Sequence, residues 1–156
     1  SMTAFDGPGP FDGDAVSNYL DRTKLPPLAF REAVAHAFDE VIEGGAARRM
    51  PAEFLALVGR KAPIVYIDVD EGTWAWACAE LVALANGHQP ETPIPQAFAR
   101  AARSMPDPVG LVALALKALQ IVSDPKRSEL AGLLKEADDQ SSFQRIDRLR
   151  LLLQSM

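Results

Sequence analysis

Apolar residues recur along this chain at helical spacing, in short segments that proline and glycine separate. Phe30, Val34, Ala37, Phe38, Val41 and Ile42 share one face over residues 28–43, with Pro26-Pro27 before them and Gly44-Gly45 as the stop. Residues 71–86 follow another pattern. There Trp74, Trp76, Cys78, Leu81, Val82 and Leu84 spread around every face, and Glu80 is the only carboxylate between Gly72 and Pro90. A helix apolar all round belongs at the centre of a fold. Asp70 is its predicted N-cap, and Gly87 lies just past its end. Residues 95–104 predict a further helix, ended by Pro106-Asp107-Pro108. Asp107 then reads as the cap of a second nearly all-apolar helix over 108–122, with Pro108 at its first position. Residues 128–137 and 142–154 complete the series, the last with Phe143, Ile146, Leu149 and Leu153 on one stripe. Ile64-Val65-Tyr66-Ile67 is β-branched and aromatic, which predicts an irregular or extended stretch near 62–68 without a partner strand. The expected fold is all-α: one domain over 1–156, a compact bundle of about six to eight short helices around the 71–86 helix.

Ahead of these helices, Gly7-Pro8-Gly9-Pro10-Phe11-Asp12-Gly13-Asp14 reads as an ordered loop. Asp12 is placed to cap a first helix running to about Arg22. Phe11 and Val16 then occupy the positions of a hydrophobic staple, and Asp14 the first turn, where the helix dipole favours a carboxylate. Ser1 before Met2 reads as a cloning remnant.

With 156 residues, 48% hydrophobic and 24% charged, the chain has ordinary globular composition. A net charge of −5 and a pI near 5.0 argue against a nucleic-acid module, which needs a basic surface. No apolar run reaches the roughly 20 residues of a bilayer crossing, and no signal peptide is visible. A single cysteine, Cys78, cannot form an internal disulfide, which fits a cytoplasmic protein.

The N-terminal Gly-Pro-Gly-Pro-Phe-Asp-Gly-Asp-Ala resembles the opening signature of a bacterial family, domain of unknown function 4259, through Gly7, Gly9, Phe11, Asp12, Asp14 and Ala15. Ala77-Cys78-Ala79-Glu80-Leu81-Val82-Ala83 is similar to the central helix of that family, and the order of the C-terminal helices adds a weaker match. The chain departs from the family in lacking an early tryptophan, where Phe5 or Asp6 stands, and in having Gly13 in place of asparagine. The resemblance implies an all-α fold and brings no reaction with it.

The chemistry on offer is sparse. Asp12 and Asp14 fit helix capping; as metal ligands they lack the next oxygen donor, since Val16 stands there. Glu80, alone on an apolar helix, must find donors or hold its proton more tightly. Backbone amides of the Gly7–Gly13 loop are the expected donors. Glu32, His36 and Glu40 fall at i, i+4 and i+8, the pattern of a solvated helix face. Arg145, Arg148 and Arg150 read as a solvated basic cluster, and Cys78 as a buried, inert thiol. With no nucleophile, base or metal spacing visible and no cofactor expected, the chain reads as a small acidic binding protein for a basic partner, immunity-like in its most concrete form. The candidate binding residues are Asp12, Asp14 and Glu80. The alternatives are a metal-dependent hydrolase built on those three carboxylates, and a small-ligand site near Trp74 and Trp76.

Overall fold

In the computed structural model, which describes residues 9–12, 16, 25–43 and 67–156, six α-helices follow one another. They are α1 (Pro27–Ile42), α2 (Val69–Ala85), α3 (Gln96–Arg103), α4 (Val112–Val122), α5 (Glu129–Glu136) and α6 (Gln140–Gln154). A 3-10 turn, Pro108–Leu111, leads into α4. Among the described residues there are no strands, so the expected all-α bundle is what forms.

Helix α2 is the hub. It packs against α1, α3, α4, α5 and α6, and its residues from Ala75 to Leu84 are all buried, Glu80 among them. The all-round apolar sequence thus does what it predicts. Phe30, Val34, Phe38 and Val41 of α1 close one side of the core, and Ala115, Leu119 and Val122 of α4 another. Burying each of these larger side chains contributes roughly 1.5–3 kcal/mol, so packing on α2 outweighs any local propensity.

The ends of α2 explain its bounds. Asp68, not Asp70, is the N-cap: its Oδ1 accepts from the Glu71 amide at 2.8 Å, and Glu71 Oε1 accepts from the Asp68 amide at 3.0 Å. This reciprocal box satisfies two amides at once, which Asp70 could not do from inside the first turn. Glu129 adds a third link, accepting from the Val69 amide at 3.0 Å. At the other end Gly87 takes φ 94°, and the amides of Gly87 and His88 return to Leu84 and Ala83. That is the left-handed stop expected of a glycine after a helix.

Three more boundaries differ from expectation. Asp107 does not cap: it is left-handed (φ 44°) and makes no side-chain bond to the helix start, so residues 108–111 wind as a 3-10 turn. Helix α6 begins at Gln140 because Asp139 caps it, accepting from the Ser142 amide at 3.0 Å. Ile67 does find a partner, one parallel bridge to Ser128, with N–H···O bonds of 2.9 Å to Arg127 and from Glu129. Residues 62–66 and most of the first helix lie outside the described residues.

Candidate functional site

Glu80 lies on the hub helix with only 4% of its surface exposed. Burial penalises the charged carboxylate and, with the nearby Glu91 charge, pushes its pKa up to about 7. Trp76, one turn earlier, and Arg145 act the other way. The buried Trp76 indole N–H has no partner at good hydrogen-bond geometry, so its pull on Glu80 is that of a nearby dipole rather than a formed bond.

Helix α6 and the 86–95 loop supply the charges around Glu80. Arg148 Nε donates to both oxygens of Glu91, each at 2.8 Å, across 57 residues of sequence. Arg145 is buried at 3% exposure on the inner face of α6, beside Ser142, Ile146 and Leu149. The expected solvated basic cluster is therefore corrected at Arg145, which the packing of α6 turns inward. Between Glu80, Glu91 and Arg148 lies a cavity of about 240 Å³, walled also by Ala83, Gln89, Leu149 and Leu152.

The described part of the N-terminal loop, residues 9–12, meets this site without bonding Glu80. The Gly9 amide donates to Asp12 Oδ2 at 2.7 Å, and the Asp12 amide returns to the Gly9 carbonyl at 3.2 Å. This closed turn, with Pro10 at its second position, rests on the 86–95 loop and α6: a Cβ on Gly9 would stand 3.4 Å from Thr92 Cγ2 and 3.6 Å from Arg145 Nη1. Phe11 anchors the turn against Phe98 of α3, ring centres 5.8 Å apart. Among the described residues no loop amide donates to Glu80. Arg145 instead stands near both Gly9 and Glu80, and the loop's own carboxylate takes the Gly9 amide.

Of the candidate site residues, Asp12 is exposed and engaged in its turn, Glu80 is buried, and Asp14 lies outside the described residues. Among the described residues no group of three His, Cys, Asp or Glu side chains is placed to hold a metal ion. Trp76 is in the core and Trp74 packs against it. His36 pairs with Glu40 at 3.2 Å on the open face of α1. Cys78 is fully buried and its thiol is pushed up by desolvation, which keeps it from forming a thiolate nucleophile. Glu91, Thr92 and Arg145 were missed by sequence reasoning. Only Arg145 left a signal, an arginine in register with Ile146, Leu149 and Leu153 on the buried stripe.

A family model described as Domain of unknown function (DUF4259) matches residues 7–145, which includes the Gly9–Asp12 turn, Glu80 and Arg145. Neither the curated proteins nor the solved structures compared with the chain include a match. No single described helix is long and apolar enough to cross a membrane.

Proposed function

We propose a binding role for this chain, which belongs to the DUF4259 family: it docks on a basic protein partner and works without catalysis. The solvent face of α1 carries the proposal. Its one strong cation, Arg31, is drawn back onto the 106–107 segment, donating from Nε to the Pro106 carbonyl at 2.9 Å and from Nη2 to the Asp107 carbonyl at 3.1 Å. Glu32, Asp39 and Glu43 are left exposed along the helix, beside the His36–Glu40 pair. On a chain of net charge −5, such a face attracts a basic surface and speeds encounter with it. A cytoplasmic immunity-type protein, covering the positively charged active site of a toxin, is its most concrete form. A single buried cysteine suits that compartment.

The test is capture from the native cell on the immobilised chain, compared with a Glu32→Lys/Asp39→Lys/Glu43→Lys variant. A stoichiometric basic protein that high salt releases, and that the variant fails to hold, is the expected result. Capture that ignores both salt and the substitutions, or no capture at all, would contradict the proposal.

A further inference from the structure

A groove between the start of α1 and α3 is separate from docking at the solvent face of α1. It opens on the side of Phe30, half a turn around the helix from Glu32 and Asp39. We infer that it binds a small aliphatic monocarboxylate, with the carboxylate on Arg100 and Ser104 and the alkyl chain against Phe30. The groove holds about 340 Å³, within the range of small-molecule sites. Leu25, Pro27 and Phe30 form one wall, and Ala97 and Ala101 of α3 form the other. Among the described residues, Arg100 and Ser104 are the polar side chains that line it. They stand at i and i+4, in the last turn and at the C-cap of α3, so they are neighbours on one side of the helix.

Charge balance selects an anion here. Among the described residues the Arg100 guanidinium has no ion pair or hydrogen bond, and the Ser104 hydroxyl has no hydrogen bond. No acid lines the groove, and the first turns of α1 and α3 hold none. Asp107, the next acid along the chain, is taken by Arg31 at 3.4 Å. The dipole of α3 accounts for an arginine in its last turn, but not for a second free donor beside it or for the hydrocarbon groove that both line. A planar guanidinium matches the two oxygens of a carboxylate, and the Ser104 hydroxyl can donate to one of them. A phosphate dianion would bring two charges to one arginine. The alkyl chain removes apolar wall from water, which a bare inorganic anion would leave exposed.

Hexanoate is the probe, followed by calorimetry and by NMR of the arginine Nε–H groups. Saturable one-site binding is expected, with the Arg100 signal shifted. n-Hexanol and n-hexylamine should not compete, and acetate should bind at least about tenfold more weakly for want of a chain. Arg100→Gln should weaken hexanoate at least about tenfold, and Arg100→Lys by less, since it keeps the charge and loses the fork. Ala97→Trp fills the groove from an exposed position, leaves Arg100 in place and should abolish binding. Both residues are exposed on α3, so these variants keep the core intact. The inference is overturned by no saturable binding of hexanoate, by equal binding of n-hexanol, or by unchanged affinity in Arg100→Gln or Ala97→Trp. A dimer that hexanoate leaves intact and Ala97→Trp breaks would give the groove to a second copy, and would equally overturn it.

Discussion

Glu80 and its neighbours pull one proton in opposite directions. Burial and Glu91 favour the neutral acid, whereas Trp76 and Arg145 favour the carboxylate. Two substitutions should therefore move the titration oppositely. Glu91→Gln removes a like charge and leaves Arg148 without its bound carboxylate, so the Glu80 pKa should fall below about 7. Arg145→Met should raise it. Carbon-detected NMR of the side-chain carboxyl reads both shifts, and movement in the same direction would contradict the arrangement. The lone carboxylate was legible in the sequence, because no other acid falls between Gly72 and Pro90. Its partners were not: Arg145 comes from the far end of the chain, brought in by the packing of α6 on α2. Gly9 shows another limit of reading residues alone. Its backbone is not left-handed, and an added Cβ would make near-ordinary contacts, so Gly9→Ala should change stability by no more than about 0.5 kcal/mol in thermal melts.

Helix ends carry the predictions at the next scale. Removing the Asp68 side chain takes the acceptor from the Glu71 amide and leaves only the bond from the amide of residue 68 to Glu71 Oε1, so Asp68→Ala should cost about 1 kcal/mol in urea unfolding. Asp70→Asn, which touches only a charge near the helix dipole, should cost a few tenths. Equal losses would return the cap to Asp70. Gly87→Ala should cost about 1–2 kcal/mol, although nothing crowds the site, because φ 94° is unfavourable for any side chain. Hydrophobic period alone placed α1, α3 and the hub helix to within about two residues. Starts were harder to see, since Asp68, Asp70 and Glu71 all favour a helix N-terminus and only reciprocal bonding decides among them. Likewise Asp107 precedes a proline and looks like a cap, yet Arg31 takes its carbonyl from across the fold and also reaches its carboxylate at 3.4 Å.

At the scale of the whole molecule, a hub helix inside five others places one ionisable group where the stability of the fold must register it. An unfolded chain ionises Glu80 near 4.5, and the folded chain near 7. Between these values the folded state binds more protons, so stability falls as pH rises and levels off above the folded value. Asp139 has the opposite tendency. Burial works against its charge, but hydrogen bonds from Ser142 and Ser141 and the charge of Arg145 hold its carboxyl below the usual range. Its contribution is lost only in more acid solution, outside the Glu80 window. The net negative charge and the apolar hub were both legible from composition and period. The cavity was not, because it exists only where α2, α6 and the 86–95 loop meet. The most direct measurement is the unfolding free energy of the native chain and of Glu80→Gln at about pH 5 and about pH 8.5. The native chain should lose about 2–3 kcal/mol relative to the variant across that interval. A difference that stays constant would mean that Glu80 titrates as an ordinary solvated carboxylate and that the buried site does not exist.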